Sequence, residues 1–361
     1  MPITDEMARI LRTARRTEAS DVNIVAGLPP ALRIQGEIIF ANTPPLSRDD
    51  THRLAYGVLT EEQRRVFERD WQICCSVYDD EHGRMRVAVY YHAGNPELAI
   101  RMCNTAVKTR EQLSLPEVAD TLTRMPTGLV LITGPTGSGK TTSLNYMIDL
   151  INSERRCKII TIEDPIEYIH PRKKAVIVQQ EVHTDVRNFA SALVHALRQN
   201  PDVICIGEMR DYDTTATALT AAETGHLVIA TLHTPNSLQT MERVISLFPA
   251  EQQRQVIGQL ANCLRGIIAQ RLIPSADKTR RVLACEVLIA NTAARQHIRG
   301  HEFHKLLTVM ETSSREGMLL LDQSLASLYE RGDITYDAAV NNSSDPAHFK
   351  ERYLSSPTPQ T

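Results

Sequence analysis

Gly128-Leu129-Val130-Leu131-Ile132-Thr133-Gly134-Pro135-Thr136-Gly137-Ser138-Gly139-Lys140-Thr141-Thr142 is the stretch whose reading decides the fold. An apolar run of strand character passes directly into the pattern G-x-x-x-x-G-K-[ST], and the pattern sits where it must, between a buried strand and a helix. Its glycines let the backbone wrap close to an anion, so that its N–H groups and the start of the next helix point at phosphate oxygens. Lys140 is expected to reach the β- and γ-phosphates, and the Thr141 hydroxyl to ligate Mg²⁺. Gly134, Pro135, Thr136, Gly137, Ser138, Gly139, Lys140, Thr141 and Thr142 are therefore candidate nucleotide-binding residues.

Downstream, nearly continuous apolar runs recur at 159–163, 203–206 and 227–232, separated by helical stretches. Strands of this kind are buried on both faces, which implies a mainly parallel sheet with helical crossovers. Upstream the pattern differs. Met7, Ile10, Leu11 and Ala14 recur at helical spacing, short alternating runs follow at 20–25, 31–34 and 38–40, and alternation returns at 85–91 and 98–102. Strands, helices and strands in this order read as a small α+β domain ending near residue 105. The organisation expected is thus an α/β chain with an N-terminal domain over 1–105, a linker over 106–118, and a P-loop domain over 119–350. From about Pro249 the chain is expected to be helical, and 351–361, rich in Ser, Thr and Pro, to be disordered.

The 361 residues suffice for two domains, each with its own core. A net charge of −3 gives no electrostatic argument for nucleic acid, and none is expected as a partner. The seven cysteines form no C-x-x-C pair, which reads as reduced, mostly buried thiols rather than disulfides or a zinc site. No apolar run approaches the roughly 18 residues that span a bilayer. The charged start, with Asp5, Glu6, Arg9 and Arg12, lacks the apolar core of a signal peptide. The expected location is the cytoplasm, with any membrane association peripheral.

Three further segments carry chemistry. Ile160-Thr161-Ile162-Glu163-Asp164-Pro165-Ile166-Glu167 places acids at the carboxyl end of a core strand, where open α/β sheets bind their ligands. Each acid alone is more often a solvated loop residue, but ATP hydrolysis needs a carboxylate to hold or polarise water, and the cluster beside a P-loop favours that role. Asp202-Val203-Ile204-Cys205-Ile206-Gly207-Glu208 has the form of a Walker B strand, with Gly207 where many P-loop enzymes place an Asp. Glu208 is expected to act on Mg²⁺ through water or on the attacking water itself. The nearby Arg210 is more often a structural ion pair than a catalytic group. Finally, Leu227 to Leu232 is a core strand followed by His233 and preceded by His226. A His at a strand end is usually a satisfied hydrogen-bonding residue; in a nucleotide-binding sheet His233 can sense the γ-phosphate, and His226, at the other end, is the weaker candidate.

Taken together, GPTGSGKTTS, ITIEDPIEYIH, LRQNPDVICIGEMRD and LTAAETGHLVIATLHT resemble the Walker A, Asp, Walker B and His boxes of the secretion ATPases, and most of all those of the PilT-like type IV pilus retraction ATPases. SDVNIVAGLPPALRIQGEI and GMLLLDQSL extend the resemblance over nearly the whole chain. It implies a PAS-like N-terminal domain, a RecA-like ATPase domain with a helical C-terminal region, ATP and Mg²⁺ as cofactors, and a homohexameric motor for pilus retraction and twitching motility. It also implies an inner-membrane platform protein (PilC-like) as partner, a possible second retraction ATPase, and a position at the inner face of the inner membrane. Residue by residue, the resemblance makes Glu167 the Asp-box general base, Glu208 the Walker B glutamate, and His233 the residue coupling nucleotide to conformation. Arg86 and Arg101 match two N-terminal arginines that reach the phosphates. A PilU-like accessory motor and a type II or type IV secretion ATPase are the alternatives, and a low-turnover nucleotide-binding regulator is a further one. Two departures stand out: a further arginine of the family falls at Gly94, and the C-terminal AIRxxIRExK-like box keeps Arg295, Ile298 and Arg299 but not the Glu-x-Lys that follows.

Overall fold

The computed structural model describes residues 4–34, 36–103 and 107–353. They divide into two compact units, Met1–Ala106 with Pro165–His170, and Val107–Asp164 with Pro171–Thr361.

The first unit opens with α1 (Asp5–Arg16), continues through β1 (Asp21–Ile24), β2 (Ala31–Ile34) and β3 (Glu37–Phe40) to α2 (Arg48–Gly57) and α3 (Glu61–Asp70), and closes with β4 (Gln72–Asp79), β5 (Gly83–His92) and β6 (Asn95–Met102). Ser47 and Thr60 start α2 and α3 with reciprocal capping boxes to Asp50 and Gln63. The six strands form one antiparallel sheet in the order β3-β2-β1-β6-β5-β4. Strand alternation decides what lies on each face. Val22, Ile24, Met85, Val87, Val89, Leu98 and Ile100 pack with Met7, Leu11, Leu54 and Phe67 of the helices in one core, while Asp21, Arg86, Ala88 and Arg101 take the opposite face.

The second unit begins with two short helices, α4 (Arg110–Leu113) and α5 (Val118–Thr123). It proceeds through β7 (Gly128–Thr133), α6 (Lys140–Glu154), β8 (Lys158–Glu163), β9 (Val176–Glu181), α7 (Phe189–Ala196), β10 (Val203–Ile206), α8 (Tyr212–Glu223), β11 (Leu227–Leu232), α9 (Ser237–Ser246) and α10 (Ala250–Cys263). A long hairpin, β12 (Leu264–Pro274) and β13 (Arg281–Ile289), precedes α11 (Thr292–Arg299), α12 (Leu306–Thr312), α13 (Leu321–Glu330), α14 (Tyr336–Asn342) and α15 (Pro346–Tyr353). The sheet order is β13-β12-β7-β11-β10-β8-β9, parallel except for β13. β7, β10 and β11 are buried at every residue. Separate apolar clusters cover the two faces, and each fully buried Leu, Ile or Val in them contributes on the order of 1.5–3 kcal/mol. The chain runs to one side of β7 through β11, β10 and β8 and returns to its other side at β12, so the carboxyl end of β7 is a topological switch point, where such sheets bind ligands.

The expected α/β class, with an α+β unit and a parallel P-loop sheet, is what the structure has. Two expectations need correction. The region after Pro249 is not wholly helical, because β12 and β13 form an antiparallel pair of the sheet before the chain returns to helices. Burial drives this: Ile267, Ile268, Ile273, Ala284 and Val287 fill the sheet's own cores. Within the expected tail, residues 351–353 end α15; residues 354–361 lie outside the described residues. No helix is long and apolar enough to cross a membrane among the described residues.

Candidate functional site

The loop after β7 is shaped by its glycines. Gly134 has φ +142°, and a Cβ there would stand 2.3 Å from the Gln270 carbonyl oxygen and 2.6 Å from Ser138 Oγ, so only glycine lets β12 approach. Gly137 and Gly139 take φ +78° and +92°. Gly139 is the N-cap of α6 and brings no side chain to cap the helix, leaving the first-turn N–H groups directed at the loop. Pro135, Thr136, Gly137, Thr141 and Thr142 are exposed, whereas Ser138 and Lys140 are buried. Ser138 Oγ has no hydrogen-bond partner. An uncapped helix start, a glycine cradle and an orphaned hydroxyl together fit a bound phosphate.

Lys140 Nζ donates to the Gly134 and Pro135 carbonyls, both at 2.9 Å, and lies 3.3 Å from His233 Nδ1. Burial pulls its pKa down, and the negative charge of Glu208 opposes this. Glu208 Oε2 takes His233 Nε2 at 3.3 Å and Arg210 Nη2 at 2.5 Å. Burial pushes the Glu208 carboxyl up, but Arg210 and His233 outweigh it and hold the group below the ordinary range, so it is ionised near neutrality. Lys140, His233, Glu208 and Arg210 thus form one connected chain of polar side chains at the carboxyl ends of β7, β10 and β11. Arg210 makes the ion pair expected of it.

The strand ends are tied to each other. Thr231 Oγ1 donates to the Gly207 carbonyl at 2.5 Å, and the Met209 N–H to the Thr231 carbonyl at 3.0 Å. A Cβ at Gly207 would stand 3.2 Å from the Ile162 carbonyl oxygen, a close approach between β10 and β8 that glycine eases. Glu163, at the end of β8, is buried and accepts from Thr161 Oγ1 at 2.6 Å and from Gln179 Nε2 at 3.1 Å. Gln179 lies on β9, a strand absent from the sequence reading.

Glu167 is placed differently. The segment Pro165–His170 belongs to the compact body of the first unit, where the Ile166 carbonyl accepts from Ser76 Oγ at 3.4 Å and from Arg84 Nε. The sequence grouped Glu167 with the P-loop; the structure groups it with β4 and β5. Arg86 and Arg101 are brought together on the open face of the first unit's sheet, directly opposite each other across β5 and β6. Like charges in that position are destabilising. The same transverse row continues to Asp21 and Arg33. Asp21 Oδ1 accepts from Arg101 Nε at 3.1 Å, and its Oδ2 lies 3.8 Å from Arg33 Nε. Ala88 and Ala99 floor a depression of about 430 Å³ beside this row. Arg33 and Asp21 were missed as site residues because only strand register assembles the row.

Residues 73–329 match the model of the Type II/IV secretion system protein family. The chain belongs to that family. It is 38% identical over 344 residues to the type IV pilus retraction ATPase PilT of Pseudomonas aeruginosa, covering 95% of this chain and 100% of that protein. It is 40% identical over 335 residues to the type IV pilus ATPase PilU of the same organism, covering 93% of this chain and 88% of that one. A crystal structure of the pilus retraction motor PilT with bound ADP superposes with a TM-score of 0.90 at 43% identity, over 95% of this chain and 98% of that one. The ATPase DotB of Legionella pneumophila follows at 0.80 and 26%, over 94% and 96%. In sequence and fold this member of the secretion-system family is a PilT-like ATPase.

Within this family member, the retained part of the C-terminal box is a clamp. Arg295 donates to the carbonyls of Ala290 at 2.7 Å, Ala261 at 3.1 Å, Asn262 at 2.6 Å and Leu264 at 2.9 Å, closing the end of α10 where it passes into β12. Arg299 donates to Asn262 Oδ1 at 2.9 Å. In the part of the box that is not kept, Glu302 pairs with Lys305 at 2.6 Å and with His297 at 3.0 Å.

Proposed function

We propose that the chain is the ATP-hydrolysing motor of type IV pilus retraction, working as a homohexamer against an inner-membrane platform protein at the cytoplasmic side of the pilus machine. The observation that carries this reading is end-to-end similarity to PilT, with a P-loop whose geometry fits phosphate. ATP is held by residues 134–142. Lys140 exchanges its loop carbonyls for the β- and γ-phosphates, and the α6 N-terminus and Ser138 hydroxyl supply further donors. Mg²⁺ would be held by Thr141 and, through water, by Glu208, and when bound it neutralises phosphate charge.

Glu208, kept ionised by Arg210 and His233, is the carboxylate that orients the attacking water. His233, touching both Lys140 and Glu208, reports the presence of the γ-phosphate to α9. In the assembled ring, Arg86 and Arg101 supply charge to the transition state and Glu167 is the Asp-box base. Because phosphoryl transfer depends mostly on positioning and charge, delivering or withdrawing these side chains gates the step. A PilU-like accessory motor is the second reading, supported by the 40% identity to PilU and by the altered C-terminal box. Steady-state hydrolysis by the purified chain and by Glu208→Ala tests the proposal. Turnover abolished by the substitution is the expected result, and absence of turnover in the unsubstituted assembly sinks it.

A further inference from the structure

β13 carries a buried carboxylate that the reaction above leaves without a part. Glu286 is 6% exposed, and its Oε1 accepts the N–H of Ser237 at 2.7 Å. Ser237 is the first residue of α9, so the carboxylate sits at the positive end of that helix. Glu286 pairs in register with Ala269 of β12, and Ala269 with Thr133 of β7. Residues paired directly across strands share a face, so Glu286 and Thr133 flank the small Ala269 in a single row, and α9 packs on β12 and β13.

One turn along α9, Thr240 is fully buried. Its Oγ1 lies 2.6 Å from the Asn236 carbonyl, 2.7 Å from Thr234 Oγ1 and 3.5 Å from Thr133 Oγ1. Thr133 immediately precedes Gly134 of the P-loop, and Thr234 immediately follows His233. The first turn of α9 is therefore held at two points on a row whose end strand, β7, runs into the phosphate loop. Packing alone does not account for this, because an apolar side chain would fill the place of Glu286 without the cost of burying a carboxylate.

We propose that Glu286 and Thr240 are positioning residues that pin the first turn of α9 to Thr133 and so set the placement of His233 against Lys140 and Glu208. The inference rests on the ATPase reading for its kinetic arm and on the fold alone for its exchange arm. In the full chain, Thr240→Val, which keeps the side-chain shape, is expected to lower kcat about tenfold while KM for ATP stays within about twofold, and Thr240→Ser to recover most of the loss. Glu286→Leu is expected to behave like Thr240→Val, and Glu286→Gln, whose amide oxygen still accepts the Ser237 N–H, to stay close to the unsubstituted rate.

In a His233→Ala background, Thr240→Val is expected to cost nothing further, because residues acting through one group are not additive. Hydrogen exchange over 234–240 is expected to quicken about tenfold in Glu286→Leu and Thr240→Val. Unchanged kcat in folded Thr240→Val, a full second loss in the His233→Ala background, or unchanged exchange over 234–240 would each overturn the proposal. Absent turnover in the unsubstituted chain refutes the ATPase reading instead, and the exchange arm still decides the pinning.

Discussion

Two alanine substitutions in the same loop should have very different effects. Gly137 has φ +78° and nothing within 4 Å of an added Cβ. Gly137→Ala therefore carries only the left-handed backbone cost, roughly 1–2 kcal/mol. Gly134 has φ +142°, and its added Cβ would lie 2.3 Å from the Gln270 carbonyl oxygen. That oxygen belongs to β12, which is paired on one side to β7 and on the other to β13, so neither partner yields cheaply. A backbone cost of about 1–3 kcal/mol plus an overlap that must open by more than half an ångström amounts to about 4 kcal/mol or more, close to a thousandfold. The cost appears as displacement of the loop from its cradle. Titration with a fluorescent ATP analogue should show nucleotide affinity falling by about a thousandfold for Gly134→Ala and by about five- to thirtyfold for Gly137→Ala. Equal losses for the two variants, or a Gly134→Ala chain that binds normally, would refute the reasoning.

Other consequences can be measured directly. Glu208→Gln is expected to lower kcat by about 10²–10⁴ with nucleotide affinity within a few-fold, the pattern of a group needed in the transition state; equal weakening of binding would place it in ground-state recognition. Arg101→Gln removes a like-charge pairing with Arg86 and an exposed ion pair with Asp21. Its melting temperature should therefore change little, by less than about 1 kcal/mol in equivalent stability, while hydrolysis falls in the assembled enzyme. Glu286 has a carboxyl raised by burial, against which the Ser237 N–H works. Its folded pKa lies above its unfolded one, so its contribution is fully present below the ordinary glutamate range and declines as pH rises through the raised value. Denaturant midpoints measured across that window should slope less for Glu286→Gln than for the unsubstituted chain.

How much of this was legible in the sequence follows from how local each feature is. The P-loop, Glu208 and His233 could be placed because each lies at the end of a continuously buried strand, and parallel strands bring their carboxyl ends together. The hairpin of β12 and β13 was not legible, because α10 ends at Cys263 and β12 begins at Leu264 with no turn residues to mark the change, and a buried apolar run has no decisive period. β9 is a half-buried edge strand whose apolar run, Val176-Ile177-Val178, stops after three residues at Gln179-Gln180-Glu181. The row of Arg33, Asp21, Arg101 and Arg86 is drawn from strands far apart in sequence and exists only through register. Glu167 follows Glu163 closely in the chain, yet Pro165–His170 packs with the first unit, a tertiary choice that no local pattern records.

The central claim is most directly tested by imaging labelled pili on cells lacking this gene and on cells complemented with the unsubstituted chain or with Glu208→Ala. The account predicts pili that extend but do not shorten in the deletion and in the Glu208→Ala strain, with shortening restored by the unsubstituted chain. Cells without pili, or pili that retract at the normal rate without the gene, would contradict it.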